Sequence, residues 1–438
     1  MKKITLFALI ALLVSACLPQ NVQVPQSPLL STLERKSGRI AYIGVDGNIY
    51  TSDQAGRNLT QLTKDAASNQ AGEFNIYQYP TWSLDGQQLA FVGTSGTNTN
   101  ATSKLFVANR DSKKADEIYS SDNEHPIYLY WSPDEKNVSF LSTTVSGQSL
   151  ILQSVPAAGG DRTVIDSGSP FYLSWAPNGR TMITHAGGAT DSTVPEHLSF
   201  IQFQDSGIIE DGLDTIPASF QAPAWSPDGS HILLTRSEDG KKELVLTDGS
   251  GVFEKILGQF DVNTAFGWSS DGTEVAFING TQATNAGVVG ELNVVNIETS
   301  AKVSVGENVI AFFWSPNGEK VAYFVPFLAT DSGSGSSTNG NNSGSTAQRL
   351  VLQLNMLDVK TGESKELFTY QPTEQFRNIL PYFDQYHQSN TIWSPDNNNL
   401  VLSFLNQDGT PGIAIAAASG NLKPRLLAQG YLAFWSWK

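Results

Sequence analysis

The chain repeats one short motif, a tryptophan followed by serine, proline and aspartate or close substitutes, at nearly regular intervals. Seven copies and a truncated eighth begin at Trp82, Trp131, Trp175, Trp225, Trp268, Trp314, Trp393 and Trp435. Successive tryptophans lie 42–50 residues apart, except for one interval of 79 residues between Trp314 and Trp393. This is the period of a four-stranded propeller blade. We interpret the repeated tryptophans as structural residues of such blades.

The residues around each tryptophan predict a β-hairpin, most clearly at 222–236. Proline sets the first dihedral angle of its Ser-Pro-Asp-Gly turn, aspartate caps the backbone, and glycine supplies a positive φ. Apolar runs at 243–247 and 254–257 complete four short strands. Asn397 takes the glycine position in another copy and tolerates a left-handed backbone. Glu135 takes the same position less readily, and we expect a distorted turn there.

Eight tryptophan-bearing strands predict an all-β propeller of eight four-stranded blades, with seven as the alternative if one unit is irregular. The last of these strands, at 431–435, has no hairpin partner after it. Conversely, residues 39–43, 48–52 and 59–63 predict three strands with no first strand before them. We therefore predict that the C-terminal strand completes the N-terminal blade and closes the ring, which removes exposed sheet edges.

These motifs resemble the TolB-type propeller repeat, also called the PD40 or WD40-like repeat, whose signature is Trp-Ser-Pro-Asp-Gly followed by an apolar strand. The resemblance extends over essentially all of 39–438 and is carried by repetition in register rather than by any one copy. The Gly-His and Trp-Asp pairs of classical WD40 propellers do not recur. The resemblance implies a β-propeller domain over residues 38–438.

The N-terminus predicts export. Residues 1–16 have two lysines, a largely apolar run and two small residues, as in a signal peptide. Cys17, the only cysteine, follows Val-Ser-Ala in a stretch that resembles the bacterial lipobox. The resemblance implies a lipid anchor on Cys17, in the cell membrane or the outer membrane; ordinary secretion with a free thiol is the alternative. Residues 17–37, with three prolines, predict a flexible linker.

The charge balance restricts the partners. The chain has 27 basic and 42 acidic residues, and loss of Lys2 and Lys3 with the signal leaves 25 against 42, a net charge of −17. An acidic surface excludes nucleic acid as an expected partner and is repelled by anionic lipid headgroups. We therefore expect membrane contact through the lipid anchor only.

Loop length indicates where a site would lie. In a propeller, the turns after the first and third strands share one face, and the other connections share the opposite face. The first set is short throughout, whereas the second is predicted to be long at 93–103, 187–196, 279–290, 326–349 and 370–390. Binding residues favour long loops on rigid scaffolds. One insertion, 331–346, is almost wholly Ser, Gly, Asn and Thr, and predicts disorder.

The segment 370–390 combines aromatic and hydrogen-bonding side chains, a composition typical of recognition surfaces. Its candidate binding residues are Tyr370, Phe376, Arg377, Tyr382, Phe383, Asp384, Tyr386 and His387. The alternative interpretation is that these aromatic side chains plug the channel mouth or cover a blade edge.

The sequence contains few motifs that indicate catalysis or metal binding. Its five histidines show no His-x-x-x-His or His-x-His spacing, and no Gly-x-Ser-x-Gly motif occurs. We therefore predict no catalytic residue, no cofactor and no metal site. Arg377, Asp384 and His387 form the one grouping of the kind that glycan-cleaving propellers place in their channels.

Together these observations predict an exported, lipid-anchored, non-catalytic propeller that binds another protein at the cell envelope through its long-loop face. The alternative is a glycan-binding or glycan-active propeller with its site at the channel mouth. A spacer or assembly factor without a small-molecule site is the third hypothesis.

Overall fold

The computed structural model describes residues 37–438 except 69–71, 98, 145–146, 148, 188–194, 285–286 and 331–347. The predicted signal peptide, the lipidation site Cys17, the linker apart from Ser37, and the insertion predicted at 331–346 lie outside the described residues.

The described chain is a β-propeller built almost entirely of antiparallel sheets, most of them four-stranded. The first sheet joins β1 (Ile40–Gly44), β2 (Ile49–Ser52) and β3 (Thr60–Gln61) to the C-terminal strand β32 (Gly430–Trp435). The second contains β4 (Ala67–Ser68), β5 (Glu73–Trp82), β6 (Gln88–Thr97), β7 (Asn100–Asn109) and β8 (Ala115–Ser121). The third contains β9 (Glu124–Trp131), β10 (Asn137–Thr144), β11 (Leu150–Pro156) and β12 (Thr163–Gly168).

The next three sheets also have four strands each. They are β13 (Phe171–Trp175), β14 (Thr181–Ala186), β15 (His197–Gln204) and β16 (Gly207–Gly212); β17 (Ala224–Trp225), β18 (His231–Glu238), β19 (Lys241–Asp248) and β20 (Phe253–Phe260); and β21 (Thr264–Trp268), β22 (Glu274–Thr284), β23 (Gly287–Asn296) and β24 (Lys302–Val309).

A seven-stranded sheet completes the described β-structure. It contains β25 (Ala311–Trp314), β26 (Lys320–Thr330), β27 (Gln348–Asp358), β28 (Ser364–Pro372), β29 (Asn399–Leu405), β30 (Pro411–Ala417) and β31 (Arg425–Ala428). Between β28 and β29 lie α1 (Glu374–Ile379), a 3-10 helix (Leu380–Tyr382) and α2 (Phe383–Ser389). Neither these helices nor any other within the described ranges has the length and apolar character needed to cross a membrane.

Burial decreases from the first strand of a sheet to the last. Every residue of β21 and β25 is buried, whereas β16 is exposed at nearly every position. The tryptophan-bearing strands therefore surround the centre of the molecule, and the fourth strands form its rim. Seven of the eight repeat tryptophans are buried, and Trp225 is partly exposed.

The tryptophans also connect neighbouring sheets by hydrogen bonds. The Nε1 of Trp131 donates to the Thr81 carbonyl at 3.0 Å, and Trp268 donates to Ala224 at 3.0 Å. Trp314 and Trp393 repeat the pattern with Gly267 and Phe313. In each case the acceptor immediately precedes the tryptophan of the previous repeat. The indole thus joins two sheets as well as filling the core between them.

The Ser-Pro-Asp-Gly turns are held by their own side chains. Asp228 accepts hydrogen bonds from the Ser226 hydroxyl at 2.6 Å and from the Ser230 amide at 3.0 Å. The amide of Gly229, at φ +73°, donates to the Ser226 carbonyl at 2.9 Å. The Asp228 carboxylate therefore satisfies a backbone amide that the tight turn leaves without a strand partner.

The distorted turn expected at Glu135 is not found. Glu135 adopts φ +62°, and its amide donates to Ser132 at 2.8 Å, as glycine does in the other copies. Its side chain explains why the residue fits, because Oε1 accepts a 2.6 Å hydrogen bond from the Asp85 amide of the preceding turn. Asn397 makes the equivalent bond to the Asn317 amide at 2.9 Å.

Several connections predicted as long loops are extensions of strands. The predicted loop 93–103 forms the ends of β6 and β7, which remain paired out to Thr97 and Asn100. In the same way, β22 and β23 remain paired out to Thr284 and Gly287. Tall hairpins, rather than irregular loops, therefore make up much of this face.

Candidate functional site

The predicted loop 370–390 is largely helical, so its sequence interpretation was wrong about the backbone. Tyr370 belongs to β28, and residues 374–389, which we call the plug, form α1, the 3-10 helix and α2. Thr373 caps α1 by accepting a 3.3 Å hydrogen bond from the Phe376 amide. Phe376, Ile379 and Phe383 follow helical spacing and are buried.

The plug lies at the centre of the propeller. Helix α2 contacts the inner strands β9, β13, β21 and β25, and α1 contacts β32. These strands belong to five different sheets. A short helix can reach all of them only from the central channel, which supports the alternative that these aromatic side chains plug the channel mouth.

Gln385 attaches the plug to the channel wall. Its Oε1 accepts from the Leu173 amide at 2.8 Å, and its Nε2 donates to the Leu173 carbonyl at 2.9 Å. Nε2 also donates to the Tyr128 hydroxyl at 2.8 Å. Gln385 is only 2% exposed. All its hydrogen bonds are therefore made within the protein, to two neighbouring sheets.

Asp384 makes a second attachment. Its Oδ2 accepts a 3.0 Å hydrogen bond from the amide of Ala222, and Gln388 donates to the carbonyl of Pro223 at 3.0 Å. Burial raises the pKa of Asp384 to about 6, against the opposing effect of the amide hydrogen bonds and of nearby His185. The carboxyl group therefore changes charge within a mildly acidic range.

His387 packs against the channel wall. Its ring lies near Phe312 and Phe383, and its Nδ1 hydrogen-bonds the Phe383 carbonyl at 2.9 Å. A methyl group at Gly267 would lie 2.3 Å from His387 Nε2, so this close approach requires glycine. Burial lowers the pKa of His387 to about 4, and the ring is neutral at pH 7.

The eight predicted binding residues include buried and exposed side chains, with Tyr370, Tyr386 and His387 partly buried. Phe376, Phe383 and Asp384 are buried, and the Tyr386 hydroxyl donates to the Ile127 carbonyl at 3.1 Å. Arg377 and Tyr382 are exposed, Tyr382 by 51%. The structure gives Asp384 and His387 separate backbone partners, and no hydrogen bond or ion pair joins either of them to Arg377 among the described residues.

A cavity of about 510 Å³ lies between the plug and the sheets that contain β1, β5, β9 and β13. Sequence analysis predicted only its plug side. The remaining wall comes from the starts of first strands and from strand ends, which no local motif marks. Five tyrosines line the cavity: Tyr79, Tyr128, Tyr172, Tyr382 and Tyr386. Four amide side chains join them: Gln78, Gln375, Asn378 and Gln385.

The described lining of this cavity includes no Asp, Glu, Lys, Arg or His. Burial raises the pKa of Tyr128, Tyr172 and Tyr386 above the usual tyrosine value, so their hydroxyls stay protonated at neutral pH. Cavities of this size that combine aromatic walls with a few polar groups are typical ligand sites. The chemistry suits an uncharged ligand group.

A β-bulge in β5 positions Tyr79 in the wall of the cavity. The pairing of β5 with β6 shifts between Gln78 and Thr81, and Tyr79 within this bulge has φ +55°. A non-glycine residue in this region costs on the order of 1–3 kcal/mol, and such strain is concentrated at functional sites. The bulge directs Tyr79 to the cavity instead of continuing the regular strand.

No protein-family model matches the chain, and no curated protein matches it. Among solved structures it is similar to a eukaryotic initiation factor, with a TM-score of 0.46 and 12% identity over 91% of this chain and 98% of that chain. It is also similar to TolB from Acinetobacter baumannii, with a TM-score of 0.37 and 13% identity over 96% and 87% of the two chains.

The β-propeller domain of the Trilobed protease from Pyrococcus furiosus is a third similar structure, with a TM-score of 0.39 and 11% identity over 82% of this chain and 84% of that chain. Likeness at these values assigns neither a family nor a function. The propeller assignment rests on the strand pairing described above, and the functional argument rests on the plug and its cavity.

Proposed function

We propose that this chain is an exported lipoprotein whose eight-bladed propeller binds a protein partner at the cell envelope through the face that carries the plug. Binding involves no catalysed reaction. The observation that carries the proposal is the uncharged, tyrosine-lined cavity beside the exposed ring of Tyr382.

Strand pairing supports a count of eight blades in a closed ring. The seven-stranded sheet divides into β25–β28 and β29–β31, and Trp393, bridged to Leu400, supplies a first strand to the second part. Ile40 pairs with Trp435, so the first and last described strands belong to one sheet.

The cavity fits an anchoring side chain from a partner protein. Aromatic pockets of this kind hold the few residues that dominate the binding energy of an interface. The net charge of the chain is strongly negative, but the described lining of the cavity has no charged residue. Burying an ionic group there without a charged partner would be unfavourable, so the cavity favours an apolar or aromatic group. Hydroxyl and amide groups on its wall can then bind the backbone of the entering segment.

The position of the first described residues supports an anchored scaffold. The Ser37 carbonyl accepts a hydrogen bond from the indole of Trp435, and Gly38 lies against Ser436 and Pro395. These residues lie on the tight-turn face, whereas the cavity lies at the starts of the first strands, on the opposite face. A chain leading from Cys17 would thus enter the propeller at Ser37, on the face opposite the cavity.

Photo-crosslinking in intact cells tests the proposal. A photoreactive amino acid replaces Tyr382 in one strain and Ser230, on the tight-turn face, in another. We expect one discrete protein adduct from position 382 and none from position 230. Equal adducts at both positions, or no protein adduct at 382, would contradict it.

A charge placed in the cavity tests whether the cavity itself, rather than another part of the same face, binds the partner. Leu150→Lys introduces an ammonium group at the wall, and Val164→Lys makes the same kind of change at an exposed position of the same sheet. In the strain with the crosslinker at 382, we expect the adduct to be lost with Leu150→Lys and retained with Val164→Lys.

Glycan binding at the same cavity is the second candidate function. It is favoured by the combination of tyrosine rings with amide side chains, since sugar rings present apolar faces and many neutral hydroxyl groups. Calorimetry with neutral oligosaccharides tests it, and Tyr382→Ala should weaken any binding. Saturable oligosaccharide binding without a protein adduct in cells would select this candidate.

A further inference from the structure

Three side chains of the types that bind metal ions come together from two neighbouring sheets, away from the plug. Asp166 belongs to β12, at the edge of the third sheet, whereas His197 and Glu210 belong to β15 and β16 of the next sheet. One ligand atom from each lies within 4.8 Å of the other two. Sequence spacing gave no indication of this group, because 31 and 13 residues separate its members.

The histidine is oriented as a metal ligand would be. His197 Nδ1 lies 2.9 Å from the carbonyl oxygen of Pro195, which can only accept, so Nδ1 carries the proton. In the neutral ring, Nε2 then presents its lone pair to Glu210, whose Oε1 is 3.8 Å away. A carbonyl that fixes the far ring nitrogen is the usual outer partner of metal-bound histidine.

One carboxylate of the group is incompletely satisfied. Asp166 Oδ1 accepts from the Ser167 amide at 2.6 Å, but the buried Oδ2 has no hydrogen-bond partner within the described structure. A cation between the two carboxylates would give this oxygen a partner and offset the repulsion between the negative charges of Asp166 and Glu210.

The gap between His197 and Glu210 is wider than in two other histidine–carboxylate pairs of the chain. The separation of 3.8 Å between His197 and Glu210 exceeds hydrogen-bond range. Elsewhere in the chain, His185 and Glu196 approach to 2.8 Å, and His231 and Glu254 to 3.2 Å. The group at His197 is thus more open than the two direct histidine–carboxylate pairs.

We propose that Asp166, His197 and Glu210 bind a divalent transition-metal ion, with Zn²⁺ as the ion best matched to two carboxylates and one imidazole. Three protein ligands leave the fourth tetrahedral position to water or an external group. Ligand atoms that lie about 2.1 Å from a tetrahedral zinc ion are roughly 3.4 Å from one another. Side-chain movements of the order of 1 Å would therefore bring these three ligand atoms to zinc-binding distance. The bound ion would join the third and fourth sheets at their rim.

Titration of the full mature chain in detergent with ZnCl₂, followed by calorimetry, tests the proposal. We expect saturable binding of one ion per chain and at least tenfold weaker binding in His197→Gln and in Asp166→Asn. His231→Gln is the matched control, because it removes a histidine from a partly exposed His–Glu pair for which no third ligand is found among the described residues. Its zinc affinity should equal that of the unmodified chain.

Thermal unfolding supplies a second measurement that does not depend on heat of binding. ZnCl₂ should raise the unfolding temperature of the unmodified chain and of His231→Gln but not of His197→Gln. Asp166, His197 and His231 are all partly solvent-exposed, so the variants should fold, which circular dichroism checks. Absence of saturable binding, or equal affinity in His197→Gln, would overturn the assignment.

Discussion

The side-chain amide of Gln385 pairs with both backbone groups of Leu173, which lies 212 residues earlier in the chain, at 2.8 and 2.9 Å. The amide thereby takes the place of a neighbouring strand at the inner edge of β13. Because Leu173 and Gln385 are both buried, water cannot replace these bonds. The position of the plug, and with it one wall of the cavity, depends on this contact.

Loss of the Gln385 amide should destabilise the protein markedly. Gln385→Leu leaves the amide and carbonyl of Leu173 buried without partners, and each such group costs about 1–3 kcal/mol. We expect the free energy of unfolding to fall by about 2–5 kcal/mol, measured by urea denaturation. Gln375→Leu, the same change on the cavity side of α1, should alter it by less than about 0.5 kcal/mol. Equal effects of the two substitutions would contradict this role.

The tryptophan hydrogen bonds permit a matched comparison between two repeats. Trp131 donates to the Thr81 carbonyl, whereas the buried Nε1 of Trp175 has no partner in the described structure. Phenylalanine removes the same atoms at both positions, but only Trp131→Phe also removes a hydrogen bond. Trp131→Phe should therefore be more destabilising than Trp175→Phe by about 1–2 kcal/mol. Urea denaturation of both variants measures the difference, and equal losses would show that the indole acts by packing alone.

The sequence predicts the repeating part of this fold better than the parts that join the repeats. The apolar run that follows the Trp268 turn is the beginning of β22, because turn chemistry fixes where that strand starts. Its extension to Thr284 has no comparable signal. Helical spacing of Phe376, Ile379 and Phe383 was present, but helices of six and seven residues give too short a pattern to outweigh the expectation of a loop. The Gln385–Leu173 contact joins distant segments and leaves no local pattern at all.

Asp384 should make stability depend on pH. Its pKa is raised to about 6 in the folded protein from an ordinary value of 3.8, so the folded state binds more protons than the unfolded state between these values. Stability contributed by the protonated group is fully present below about pH 4 and is lost as pH rises through about 6. A shift of this size corresponds to a loss on the order of 2–3 kcal/mol.

Asp384→Asn keeps an oxygen that can accept from Ala222 but cannot ionise. We expect its urea midpoint, relative to the unmodified chain, to rise between pH 4 and 6 and then stay constant. His185 lies near Asp384 and pairs with Glu196 at 2.8 Å, so Glu196→Gln in both backgrounds serves as a control for this neighbouring pair. The same relative midpoint at pH 4 and pH 7 would rule out Asp384 as the source.

Glu135 combines a strained backbone with an unfavourable charge, and both features can be tested at one position. Its φ of +62° costs a non-glycine residue about 1–2 kcal/mol, and asparagine tolerates this region better. Partial burial, together with the neighbouring Asp85 carboxyl, raises the pKa of Glu135 to about 7. Stability from its protonated form is therefore lost as pH rises from about 4.5 through 7. Asn397, at the same position of another repeat, keeps the bond to the preceding turn with a neutral side chain.

Glu135→Asn should consequently stabilise the protein, by about 1 kcal/mol from the backbone alone, and by more at pH 8 than at pH 4. Glu135→Gln separates the two causes, because it removes the charge and retains the strain. Its advantage over the unmodified chain should vanish at pH 4, whereas that of Glu135→Asn should persist. Urea denaturation of the three proteins at both pH values provides the measurement. If Glu135→Gln matches the unmodified chain at pH 8 as well, the Asp85 carboxyl does not act on Glu135, and strain alone distinguishes this turn from its glycine-containing counterparts.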